Sequence, residues 1–127
     1  MGSETGKIGW LDLTVENAEE IRDFYQSVVG WDTSAVSLGD YDDFCVHPPG
    51  DENPIGGICH KRGANSSMPS QWMVYITVDD LDKSMEECER RGGNIVVRDR
   101  DMGPYGRLSV LQDPAGAFLA IIQPKDE

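Results

Sequence analysis

Asp12 sits in the run Trp10-Leu11-Asp12-Leu13-Thr14-Val15, where Trp10, Asp12 and Thr14 alternate with Leu11, Leu13 and Val15. That period of two marks a strand with one aliphatic and one mixed face, so Asp12 shares its face with an indole and a hydroxyl. A carboxylate facing inward is costly to leave unpaired, and it needs Arg107, a backbone donor, water or a ligand. Desolvation there favours the protonated carboxyl, the property a general acid or base at neutral pH requires. A purely structural Asp12–Arg107 pair is the alternative.

The other chemistry-bearing residues are sparse. His47 precedes Pro48-Pro49 and reads as a loop residue, while His60 falls near a strand end, three positions from Gly57 and with the opposite facing parity. Cys45, Cys59 and Cys88 are an odd number without a CxxC pair, which argues against structural zinc. They read as reduced thiols packed like small hydrophobes. No Ser–His or Cys–His arrangement is legible.

The elements that must position these residues follow from the pattern. After the first strand, Asn17 can cap a helix with Glu20 as its capping-box partner, and Ile21, Phe24, Tyr25 and Val28 form an apolar stripe ended by Gly30. Strand-like runs follow at Trp31 to Val36, Asp43 to His47 and Ile55 to Lys61. A second set comprises a strand over Gln71 to Val78, a helix over Asp80 to Arg91 with Leu81, Met85 and Cys88 inward, and strands over Ile95 to Arg98, Arg107 to Gln112 and Phe118 to Gln123.

One ungapped shift of 63 residues lays the first set on the second: Thr14-Val15-Glu16-Asn17 falls on Thr77-Val78-Asp79-Asp80, Gly30 on Gly93 and Gly57 on Ala120. Strand, cap, helix and stop in register indicate a duplicated β-α-β-β-β unit. The expected fold is α+β, with modules over 7–61 and 71–123 joined by a Gly/Ser/Asn-rich linker over 62–70. Each helix must cover one sheet face, leaving the opposite faces to line a cavity between curved mixed sheets, with the helices outside.

The 127 residues carry 39% apolar side chains, enough for one ordinary domain. No apolar run is long enough to span a membrane and no secretory leader is recognisable, so a soluble cytoplasmic protein is expected. Asp and Glu outnumber Lys and Arg by 23 to 11, for a net charge of −12. That field repels nucleic acid and anionic membrane and favours cationic ligands, although it also serves simply as a solubilising surface.

Trp10 to Val15, Asn17 to Phe24-Tyr25, Gly30-Trp31, Gly56-Gly57-Ile58 and the closing Gly106-Arg107 through Asp113-Pro114-Ala115-Gly116 and Phe118 to Ile122 resemble the vicinal-oxygen-chelate family, which includes glyoxalases and bleomycin-resistance proteins. The resemblance implies four metal ligands, typically His or Glu, on the first and last strands of each module. Matched residue by residue, those positions hold Trp10, Gly57, Met73 and Ala120, none of which suits such an ion. The resemblance therefore implies a member with no metal and no cofactor, with a relocated site at His60, His47 or Asp12 as the alternative. It also implies a homodimer.

Strand parity assigns Trp10, Asp12 and Thr14, Met73, Tyr75 and Thr77, and Phe118, Ala120 and Ile122 to the cavity, with Arg107 and Ser109 as possible additions. The expected ligand site is Trp10, Asp12, Met73, Tyr75, Arg107, Phe118 and Ala120. An aromatic pocket with few polar groups suits a small aromatic or cationic organic molecule, for sequestration or sensing of the drug-resistance kind. Trp10, Phe118 and Tyr75 equally suit a packed core. The competing reading is a glyoxalase-like lyase or isomerase, or another metal-independent enzyme with Asp12 as acid or base. Whether any reaction is catalysed stays open at this point.

Overall fold

Two sheet-and-helix units make up the chain in this computed structural model, which describes residues 4–125. One unit is Trp10–Trp72; the other joins the residues up to Gly9 to those from Met73 onward. The element order is β1 (Ile8–Val15), α1 (Ala18–Val28), β2 (Asp32–Ser37), β3 (Asp42–His47), β4 (Gly56–His60), then β5 (Trp72–Thr77), α2 (Leu81–Arg90), β6 (Asn94–Asp101), β7 (Arg107–Gln112) and β8 (Phe118–Gln123). The fold class is α+β. Among the described residues no helix is long and apolar enough to cross a membrane.

In the Trp10–Trp72 unit the strand order is β2-β3-β4-β1, with β1 parallel to β4 and the other neighbours antiparallel. Helix α1 covers one face, and its core contains Ala18, Phe44, Val46 and Ile58, with Val15, Ile21, Tyr25, Trp31 and Trp72 packed around it. Burying a side chain the size of Ile58 contributes about 1.5–3 kcal/mol. The indole N–H of Trp72 donates to the Tyr25 hydroxyl at 2.9 Å, and the rings of Tyr25, Trp31 and Trp72 meet at 5.3–5.8 Å between centroids.

Helix α1 departs from expectation in two ways. Phe24 and Val28 are 52% and 64% exposed, so the inward stripe is Ala18, Ile21 and Tyr25 alone. Asn17 stands at the N-cap, but its side chain makes no capping bond to the backbone; its amide donates instead to Glu20 at 3.0 Å. Gly30 ends the segment with φ +87°, as its position after the helix demands.

In the second unit the strand order is β5-β8-β7-β6. Helix α2 packs Leu81 and Met85 on Leu111 and Ile121, with Ile76, Val78, Cys88, Ile95 and Leu119 around them. Asp80 caps α2 by accepting from Lys83 N at 3.1 Å, and the Gln123 side chain accepts from Leu81 N at 2.7 Å. Strand β6 runs three residues beyond its expected end, with register shifts against β7 between Ile95 and Val97 and between Val97 and Arg100. The 62–70 segment holds a short 3-10 turn at Gly63–Asn65 and buries Met68.

The internal repeat is visible in the registers. Asp12 lies opposite Gly57, Leu13 opposite Ile58 and Thr14 opposite Cys59; 63 residues later Tyr75 lies opposite Ala120, Ile76 opposite Ile121 and Thr77 opposite Ile122. Equivalent positions are therefore paired alike in each unit.

Candidate functional site

The face of the Trp10–Trp72 sheet away from α1 concentrates polar groups. Strand alternation and register put Trp10, Asp12 and Thr14 of β1, Gly57 and Cys59 of β4, and Cys45 of β3 on that side. Trp10, Asp12, Cys45 and Cys59 are all half-buried, and Thr14 is buried. The indole N–H of Trp10 donates to Asp12 Oδ1 at 2.7 Å, fixing the carboxylate two residues along its own strand. Such a charge-assisted bond is among the stronger ones a side chain can make.

Gly57 makes room for that carboxylate. A Cβ at residue 57 would lie 2.6 Å from Asp12 Oδ1 and 3.4 Å from the Phe44 carbonyl oxygen. The volume beside this backbone is thus filled by Asp12, reaching across from the neighbouring strand.

Two thiols complete the neighbourhood, and both were read from sequence only as small hydrophobes. Burial and, secondarily, the negative charge of Asp12 push the Cys45 thiol up from its ordinary value. The same causes in the same order, joined by Asp43, push Cys59 up much further. Both thiols are therefore held protonated at neutral pH, which makes neither a ready nucleophile. Cys59 could have been placed here from its two-residue spacing to Gly57, but Cys45 required the β3–β4 register.

The corresponding face of the second unit differs in character. Register places Met73, Tyr75 and Thr77 with Phe118, Ala120 and Ile122, and with Leu108 and Val110 of β7. Met73, Ala120, Leu108 and Val110 are no more than 2% exposed, whereas Tyr75 and Phe118 are half-buried. Met73 and Ala120 thus sit in packed apolar surroundings.

Arg107 does not join these residues. It lies opposite Gln123, on the α2 side, where its guanidinium bridges Asp82 at 3.0 Å and Asp99 at 2.8 Å. These two carboxylates hold its charged form, and it is committed to them. Ser109 also faces the α2 side, fully buried, with its hydroxyl donating to the Val97 carbonyl at 2.8 Å. An open depression of about 630 Å³ beside Arg107 is lined in part by Asp99, Asp101, Gln123 and Lys125.

The histidines are likewise placed. His47 belongs to β3 rather than to a loop, and its Nδ1 lies 2.7 Å from the Asp51 carbonyl oxygen. His60 is buried on the α1 side, with Nε2 3.2 Å from Glu19 of α1 and Nδ1 3.2 Å from Asp43. Among the described residues no group of three His, Cys, Asp or Glu side chains could hold a metal ion. Trp10, Gly57, Met73 and Ala120 offer an N–H donor, a weak thioether and no further ligand atoms. The donor set does not fit a divalent ion at the positions where the fold family would bind one.

Comparison with known proteins agrees with this architecture. The family model described as Glyoxalase/Bleomycin resistance protein/Dioxygenase superfamily matches residues 7–121. The Mycobacterium tuberculosis protein named "Putative glyoxylase CFP32" is 30% identical over 122 residues, covering 96% of this chain and 46% of that one. The anthracycline biosynthesis protein DnrV of Streptomyces peucetius is 29% identical, covering 91% and 46% respectively. The chain spans about half the length of these two curated relatives. The crystal structure of methylmalonyl-CoA epimerase from Mycobacterium tuberculosis superposes with a TM-score of 0.56 at 12% identity, covering 99% of this chain and 93% of that one. With β-α-β-β-β order in both units, parallel β1–β4 and β5–β8 pairs and a family match over nearly its whole length, the chain belongs to the glyoxalase/bleomycin resistance protein/dioxygenase superfamily.

Proposed function

We propose that the protein binds a small organic molecule against the face of the Trp10–Trp72 unit away from α1, for sequestration or sensing and without a resident metal ion. The observation that carries this reading is the Trp10–Asp12 pair. A held carboxylate and an indole stand on the strand position where metal-dependent relatives are expected to place a ligand, and Asp12 fills the space vacated at Gly57. An indole beside an oriented polar group is the usual means of binding a planar molecule, with stacking supplying affinity and the polar group supplying orientation. The relative named for anthracycline biosynthesis supports a fused-ring ligand.

Elemental analysis of purified protein tests the metal half of this reading: substoichiometric transition metal is expected, and one bound ion per chain overturns it. A thermal-shift screen of planar aromatics tests the ligand half. A stabilising compound whose effect disappears in Trp10→Ala supports the proposed face, and undiminished stabilisation of that variant removes the ligand from it. Turnover abolished by Asp12→Asn would convert the binder into an enzyme.

A further inference from the structure

We infer that α1 carries a docking site for a short amphipathic segment of another protein, apolar on one face and flanked by Lys or Arg. The site is built on Phe24 and Val28, one helical turn apart and so neighbours on the helix surface. They are 52% and 64% exposed, and Val29, which follows at the C-cap, is 52% exposed. Phe24 is nevertheless held in place. Its ring meets Tyr25 edge-on at 5.1 Å, and the Tyr25 hydroxyl accepts from the Trp72 indole N–H. A ring fixed before contact loses little freedom on binding, which is the property of an interface anchor.

The duplicated half supplies an internal control. Sixty-three residues on, α2 and its C-terminal end carry Glu87 and Arg91 at the positions of Phe24 and Val28, and Gly92 at that of Val29. Glu87 and Arg91 reach one another at 4.0 Å, and α2 still packs Leu81 and Met85 on its sheet. The β-α-β-β-β unit therefore forms with charged groups at these positions. The core of the Trp10–Trp72 unit does not need the apolar pair either, because Ala18, Ile21 and Tyr25 already face it. Phe24 and Val28 are thus surplus to folding and open to a partner.

Charge and area select the occupant. From Glu16 to Asp32 the chain has five acidic residues and one basic. That one, Arg22, lies over the Phe44 ring at 4.5 Å and bonds Asp23. A second copy would bring the same acidic helix, on a molecule of net charge −12, against this one. The patch is also too small for a pair of folded domains. Three part-exposed side chains present on the order of a few hundred Å², against about 800 Å² per partner in a stable complex. A short segment with its apolar residues in one stripe needs no more than this, and Lys or Arg beside the stripe meet the acidic rim.

Fluorescence anisotropy on the full chain tests the site with a labelled Leu/Lys peptide of helical periodicity. Its scrambled isomer and its Leu/Glu counterpart are the controls. The periodic Leu/Lys peptide is expected to bind at least about tenfold more tightly than either. Phe24→Glu combined with Val28→Arg transplants the α2 pair and leaves the net charge unchanged, so general attraction of a cation survives in it. This variant should melt like the wild type by circular dichroism and lose at least about tenfold in affinity for the periodic peptide. Val28→Ser alone is read in the same direction if the double variant melts early. Equal binding of the scrambled peptide, or undiminished binding by the variants, would overturn the site. A wild-type dimer in sedimentation equilibrium that the double variant abolishes would overturn the partner in favour of a second copy. Cosedimentation of the wild type, but not the variant, with phosphatidylcholine vesicles would overturn it in favour of a membrane.

Discussion

Asp12 Oδ1 occupies the space that a side chain at Gly57 would need, 2.6 Å from where its Cβ would be, on the strand directly opposite in register. The two residues are therefore coupled: a side chain at position 57 must displace the carboxylate. Gly57→Ala is expected to cost about 1–3 kcal/mol, as overpacking of a filled site does, and to lower affinity for any ligand that uses Asp12. Denaturant unfolding and calorimetry check the two halves. Wild-type stability in Gly57→Ala would show that the carboxylate swings away freely.

Trp10→Phe keeps the aromatic bulk and removes the indole N–H, so Asp12 loses the bond that orients it. A stability loss of about 1–2 kcal/mol is expected from the lost charge-assisted bond. The decrease in ligand affinity should exceed what the retained ring area would predict.

Cys59 gives the protein an alkaline liability. Its thiol is pushed well above the ordinary value of 9.0 by burial first, then by Asp12 and Asp43. The folded state thus keeps a proton that the unfolded state releases. Its stabilising contribution is complete below about pH 9 and is lost as pH rises beyond that, with a limiting slope of about 1.4 kcal/mol per pH unit. Urea midpoints measured across this range should fall more steeply for the wild type than for Cys59→Ala. Parallel slopes would remove Cys59 as the cause.

His60 ties α1 to the sheet, with Glu19 at one ring nitrogen and Asp43 at the other. His60→Ala leaves a buried gap and removes the ring contacts to Glu19 and Asp43, although the backbone N–H at position 60 still donates to Asp43 Oδ1. A loss of about 2–4 kcal/mol is expected by equilibrium unfolding, larger than for any single exposed ion pair.

Phe24→Glu should do almost nothing to stability, within about 0.5 kcal/mol. Phe24 is 52% exposed, and the residue 63 positions later, on the equivalent site of α2, is Glu87. A large loss would mean that the exposed ring is covered in solution.

The repeat was legible because equivalent residues recur without gaps, and the β1–β4 and β5–β8 registers preserve the same 63-residue spacing. Asp12 and Trp10 were legible because β1 alternates cleanly. Arg107 and Ser109 were misplaced because β7 does not alternate: Leu108, Ser109, Val110 and Leu111 are all buried, so neither face announces itself. Phe24 and Val28 misled for the opposite reason. They have helical spacing with Ile21 and Tyr25, but α1 offers the sheet a narrower stripe than those four residues would cover. The cysteines carried no positional signal of their own, and only strand register brought Cys45 toward Asp12.

All three tryptophans, Trp10, Trp31 and Trp72, fall within the Trp10–Trp72 unit. Intrinsic fluorescence excited in the indole band is consequently a spectroscopic window on half of the molecule. A melt followed by emission registers the loosening of α1 from its sheet, while the Met73-onward half unfolds without an indole of its own to report it. Far-ultraviolet circular dichroism sees both halves at once. Coincident traces from the two signals would make the chain one cooperative block, and separated traces would resolve the duplicated halves as individual folding units.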